Sequence, residues 1–111
     1  MSAFKVNETG WTPLAASLVV PAGQTYRLIS VTLHMSAAPT TSENFPVTLD
    51  ASAGAPYDTL LYSLDLSVSS VTNLLWQPDE PLLLEGGDAI DVAYANTDGR
   101  TYGVQITAEA V

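Results

Sequence analysis

From Tyr26 to Met35 the chain runs as a strand whose two faces can be read directly: Ile29, Val31, Leu33 and Met35 alternate with Ser30, Thr32 and His34. Successive side chains on a β-strand point to opposite sides, so this stretch offers one face to a core and the other to water or a partner. The same period of two returns in Phe45, Val47, Leu49 and Ala51, in Ile90, Val92 and Tyr94, and in Tyr102, Val104, Ile106 and Ala108. The fold class that follows is all-β, a single antiparallel β-sandwich.

Turn chemistry divides the chain between these segments. Pro21-Ala22-Gly23-Gln24 predicts a tight turn, with Pro setting φ and Gly tolerating a positive φ. Residues 37–44 form a polar loop, Ala53-Gly54-Ala55-Pro56 ends the strand begun at Phe45, and Gln77-Pro78-Asp79-Glu80-Pro81 breaks the chain before a short strand at residues 82–84. Residues 89–95 and 101–108, joined by Asn96-Thr97-Asp98-Gly99-Arg100, predict a closing hairpin. The first strand is expected at residues 17–20, after an irregular N-terminal stretch. Residues 57–77 fit a helix through Leu60, Leu61, Leu64, Val68 and Val71, or strands through Leu60, Tyr62, Leu64, Leu66 and Val68. Ser67, Ser69, Ser70, Thr72 and Asn73 compete with helical backbone bonds, which favours strand, polar turn, strand. About eight short strands separated by turns make an eight-stranded jelly roll the natural topology.

At 111 residues the chain makes one domain, 1–111, in which residues 1–13 are read as an N-terminal arm. Hydrophobic residues are 47% of the chain and charged ones 14%, too apolar for disorder. Lys5, Arg27 and Arg100 stand against twelve Asp and Glu, a formal net charge of -9. Affinity for nucleic acid comes largely from basic side chains that displace counterions, so no nucleic-acid partner is expected. No membrane partner is expected either, since the apolar residues are too evenly spread for a span. There is no cysteine, and the N-terminus shows no basic region followed by an apolar run, so the chain as written is expected to start in a cytoplasm.

Few residues suggest chemistry. His34 is the single histidine, and Ser30, four residues away on the same strand face, would lie about 13 Å from it, too far for a nucleophile and base pair. No catalytic residue and no enzyme activity is therefore expected. If His34 sits in a subunit contact, its protonation would make assembly depend on pH. Asp88, Asp91, Asn96 and Asp98 carry oxygen ligands that calcium uses, but their spacing does not follow the EF-hand pattern and Asn and Asp beside Gly are ordinary turn residues. Gly86-Gly87 lacks the Lys and helix of a phosphate-binding loop, and no His and Cys cluster for zinc exists, so no metal or cofactor is expected. Trp11 beside Pro13, and Trp76 beside Pro78 and Pro81, fit either a sugar-stacking platform or, as the preferred reading, a plug at an end of the sandwich.

Several runs carry a resemblance: Ser30-Val31-Thr32-Leu33-His34, then Ala38-Pro39-Thr40-Thr41-Ser42-Glu43-Asn44; Tyr57-Asp58-Thr59-Leu60-Leu61-Tyr62-Ser63; and Gly87-Asp88-Ala89-Ile90 leading to Asn96-Thr97-Asp98-Gly99-Arg100. Together, across residues 21–107, they resemble small β-sandwich virion proteins of tailed bacteriophages. The resemblance implies a structural part of the virion, of the capsid decoration or cement type, made in the host cytoplasm and carried on the capsid surface. It implies a symmetric homo-oligomer whose partner is the major capsid protein or another virion protein, and it carries over no functional residue. The alternative is a tail-tip or fibre module that recognises surface glycan on the host. Loops face partners more readily than strands do. The contact candidates are Trp11, Thr40, Thr41, Glu43, Asn44, Trp76, Asp79 and Glu80 in and beside the loops and His34 on an outward strand face, with the N-terminal segment 2–11 as a reaching arm.

Overall fold

Among the described residues nine strands follow one another: β1 (Ala3–Gly10), β2 (Leu14–Val19), β3 (Thr25–Met35), β4 (Asn44–Asp50), β5 (Thr59–Asp65), β6 (Asn73–Trp76), β7 (Leu82–Glu85), β8 (Ala89–Tyr94) and β9 (Tyr102–Ala110). The molecule is a computed structural model that describes residues 3–68 and 70–111. One sheet has the order β1-β9-β3-β6, with β7 also on β3, and the other has the order β2-β8-β4-β5. All pairs are antiparallel. The architecture is an all-β sandwich of two antiparallel sheets.

The pairs are nested along the chain. β4 with β5 is the innermost, then β3 with β6 and β7, then β2 with β8, and β1 with β9 is the outermost. Nesting of this kind is what a jelly roll requires, because it folds one long hairpin over into two layers. Nine strands replace the eight expected because one position is divided. β6 pairs with residues 31–34 of β3 and β7 with residues 25–28. Between them lie Pro78 and Pro81, which have no N-H to give to the ladder.

The closing hairpin expected between residues 89–95 and 101–108 does not form. β8 pairs with β2 and β4, whereas β9 lies in the opposite sheet between β1 and β3. Ile90, Val92 and Tyr94 therefore enter the shared core from one sheet and Tyr102, Val104 and Ile106 from the other, and residues 95–101 connect the two sheets. Packed sheets stand about 10 Å apart, a gap that a loop of this length spans and a two-residue turn does not. The predicted turn at Pro21 does form, closed by Gln24 N-H to Pro21 C=O at 3.2 Å with Gly23 at φ 79°, and it too crosses between sheets.

The N-terminal stretch is not irregular and is not a free arm. Ala3–Gly10 pairs along its whole length with residues 102–109 of β9, and Phe4 and Val6 pack against the core while Lys5 and Asn7 face solvent. Met1 and Ser2, the start of the expected arm, lie outside the described residues. The strand before the Pro21 turn begins at Leu14, three residues earlier than expected. Residues 57–77 resolve as strand, turn, strand: β5, a turn that Val71 N-H closes on Leu66 C=O at 3.1 Å, and β6. Ser69 lies outside the described residues.

Alternation predicted the core well, with one phase error. Val31, Leu33 and Met35 are buried as expected, but on the N-terminal half of β3 the buried residues are Tyr26 and Leu28, and Ile29 is only half-buried. The register against β9 shifts between Leu28 and Ser30. A bulge inserts one residue and exchanges the two faces beyond it. Phe45, Val47, Leu66, Leu84, Ile90 and Ile106 are fully enclosed at the centre, each burying a side chain worth roughly 1.5–3 kcal/mol of transfer free energy.

Candidate functional site

At one end of the sandwich the connections β1–β2, β3–β4, β5–β6 and β8–β9 come together, and side chains tie them. Asp98 of the β8–β9 arch accepts the backbone N-H groups of Thr40 (2.8 Å) and Thr41 (2.9 Å) and both threonine hydroxyls. Glu43 reaches the other way and accepts the N-H of Thr97 at 3.0 Å together with its hydroxyl. Asp65 accepts the hydroxyls of Ser42 and Ser67 and the Ser67 N-H. Arg100 donates from Nη2 to Ala38 C=O at 3.2 Å.

Asn96 is the hub of this end. It is the only buried polar residue among those described, at 4% exposure, and it adopts φ 54°. Its Nδ2 donates to the carbonyls of Trp11, Thr12 and Arg100, and its Oδ1 accepts the Arg100 N-H. One amide thus joins the β1–β2 link to the arch. Asn tolerates the left-handed region better than most residues with a Cβ because its short polar side chain bonds locally.

The hydrogen bonds set the electrostatics. The N-H and hydroxyl of Thr41, then the N-H of Thr40, hold the Asp98 carboxyl down to about 2. The Ser42 and Ser67 hydroxyls lower Asp65 in the same way, since bonds to the charged form favour it. Beneath the loops, Tyr94 is pushed up, first by burial and then by the negative charges of Glu43, Asp98 and Asp65. Its hydroxyl and Arg100 Nε are buried without a protein partner.

Trp11, Thr40, Thr41, Glu43 and Asn44 are gathered at this end. Trp11 is not the expected plug, because 67% of it is exposed and only its backbone carbonyl is tied down. Trp76, Asp79 and Glu80 lie apart, on the β6–β7 side. Trp76 plugs no end either: half-buried, its ring stacks on Tyr62 of β5 at 5.7 Å and closes the side of the sandwich between the two sheets. His34 is separate again, exposed on the outer face of the larger sheet, with Nδ1 2.8 Å from Asn73 Oδ1.

The four oxygen-bearing residues considered for calcium are all engaged by protein donors. Asp88 accepts the N-H groups of Ser52 and Glu85 at 2.9 Å each, Asp91 accepts the Ser17 hydroxyl, and Asp98 and Asn96 brace the loops. No group of three metal-ligating side chains occurs among the described residues. Sequence reasoning missed Asp98, Asn96, Thr97 and Arg100 as parts of this end because Asn-Thr-Asp-Gly-Arg has the composition of an ordinary hairpin turn. The usable signal was the polar loop 37–44, whose N-H groups had no strand to pair with.

No helix among the described residues is long and apolar enough to cross a membrane. Neither protein-family models nor curated proteins yield a match to this chain. Among solved structures the chain is similar to one in the X-ray structure of tomato aspermy virus, with 12% identity and a TM-score of 0.30, over 99% of this chain and 78% of that one.

Proposed function

We propose that this chain is a structural, non-enzymatic protein of a bacteriophage virion, a capsid decoration or cement protein that binds the outer capsid surface as a symmetric oligomer. The observation that carries this reading is the braced loop end. Five of the nine expected contact residues stand there, four on loops and Asn44 at the start of β4, where Asp98, Glu43, Asp65 and Asn96 cross-tie the connections. Such a surface is organised before it meets a partner, so little loop entropy is lost on docking. The exposed Trp11 ring supplies the large aromatic contact on which interfaces most often depend. Carboxylates held by threonine and serine donors are fasteners and are poorly suited to act as acids or bases. A small gain per copy, repeated over a lattice, stabilises the shell by mass action.

Electron microscopy of intact particles of the phage that encodes this chain tests the reading. Copies spread over the outer shell in lattice register, with the loop end against the capsid, are expected. Copies confined to the tail, or absent from the particle, would overturn it.

A further inference from the structure

The outer face of the larger sheet holds a feature that the capsid reading does not use. A shallow groove of about 730 Å³ crosses β1, β9, β3 and β6. Its floor dips at Gly103, which lies between Thr9 on β1 and His34 on β3. In the next row Asn7, Gln105, Thr32 and Leu75 stand side by side.

Two side-chain pairs shape the walls. Gln105 Nε2 donates to Asn7 Oδ1 at 2.8 Å, and His34 Nδ1 donates to Asn73 Oδ1 at the same distance. Each pair fixes two side chains and leaves their other polar atoms available: Asn7 Nδ2 and Asn73 Nδ2 as donors, Gln105 Oε1 and His34 Nε2 as acceptors. Thr9 and Thr32 add hydroxyls. Donors and acceptors thus alternate over a surface whose apolar parts are the Leu75 side chain, 61% exposed, and the bare backbone at Gly103.

We infer that this groove is a binding site for an uncharged saccharide. A sugar hydroxyl donates and accepts from one atom, which suits alternating amide and imidazole groups, while the C-H face of the ring suits Leu75 and the glycine floor. The groove volume lies in the range of small-molecule sites, and prior fixing of the side chains lowers the ordering cost of binding. Charge selects a neutral ligand. On a chain of net charge -9, with Glu8 the only formally charged residue along the groove, acidic sugars are repelled. No Trp, Tyr or Phe ring among the described residues lines the groove, so a single site binds weakly and gains from repetition on a multi-copy particle. The inference stands on this sheet face alone and does not depend on the role assigned to the loop end.

The test is saturation-transfer NMR on the full chain with lactose, maltotriose, cellotriose and chitotriose, each at millimolar concentration, and with a neutral polar peptide as control. Transfer to at least one sugar is expected, together with loss of that signal in Gly103→Val. A Cβ at Gly103 meets only Thr9 Cγ2, at 3.9 Å, so a side chain can start from this strand position, and an unchanged circular dichroism spectrum of Gly103→Val is required alongside the loss of signal. Gln105→Ala should weaken the signal with an unchanged circular dichroism spectrum. No transfer to any of the four sugars, equal transfer in Gly103→Val, or transfer to the peptide alone would overturn the inference.

Discussion

The two ends of the sandwich are held together by different means. At the loop end, polar side chains from one connection bind the backbone of another, as Asp98 does for Thr40 and Thr41 and Asn96 does for Trp11 and Thr12. At the opposite end, backbone does most of this directly: Gly87 N-H bonds Val20 C=O at 2.8 Å and Val20 N-H bonds Asp88 C=O at 2.9 Å, across the Pro21 turn. Gly86 makes that approach possible, because a Cβ there would lie 2.9 Å from Gly23 N and 3.0 Å from Pro21 O. One end is a set of loops fastened by side chains from several connections; at the other a pair of tight turns meets backbone to backbone, and one carboxylate, Asp88, ties the 51–58 connection to them through the Ser52 N-H at 2.9 Å. Long loops with fixed side chains present a surface, whereas tight turns only close the fold.

The sharpest way to break this contrast is Asn96→Ala. It removes three donated bonds and one accepted bond at a buried position and leaves alanine in the left-handed region, for a loss of about 3 kcal/mol. Urea unfolding should show a lower midpoint with an unchanged slope. Gly86→Ala attacks the other end by overpacking, at about 2 kcal/mol. The loop end should stay intact in that variant, seen as unaltered tryptophan fluorescence, to which Trp11 and Trp76 both contribute.

Acid separates the ends further. Asp98 has its folded pKa lowered from 3.8 to about 2, so its contribution is full above 3.8 and is lost as pH falls toward 2. Asp98→Asn should therefore be less stable than the parent at pH 6, with the two melting temperatures converging near pH 2. The smallest effect is expected at Asp50, on the outer face of the smaller sheet near the tight-turn end. The charge of Asp58, then burial and Asp91, raise its pKa, so its ionised form opposes folding at neutral pH. Asp50→Asn should melt slightly higher than the parent at pH 7, a gain that disappears as pH falls below 3.8.

The legibility of the molecule follows the same division. Pro21-Ala22-Gly23-Gln24 and Gly86-Gly87-Asp88 announce turns because Pro and Gly act on their own backbone. Asn96-Thr97-Asp98-Gly99-Arg100 announces a turn just as clearly, yet its partners are Thr40, Thr41, Glu43 and Trp11, as far as 85 residues away in sequence. Nothing local to an Asp says which distant N-H it will accept. The exposed Trp11 and the side-closing Trp76 were missed for a similar reason: an aromatic residue beside proline looks the same whether its ring is free or stacked. The groove combines residues of β1, β3, β6 and β9 that alternation marked only as outward-facing.

The amino-acid sequence alone determined that this protein is built of two-faced strands, and it named the buried face of β4, β8, β9 and the second half of β3, because alternation is a property of each strand's own backbone. Tertiary structure decided which strands became neighbours. It sent β8 and β9 into opposite sheets, drew residues 3–10 into the larger one, and moved the phase of β3 at Ile29. Backbone N-H and C=O groups are alike at every position, so pairing is settled by how the buried faces fit together and how far each connection can reach.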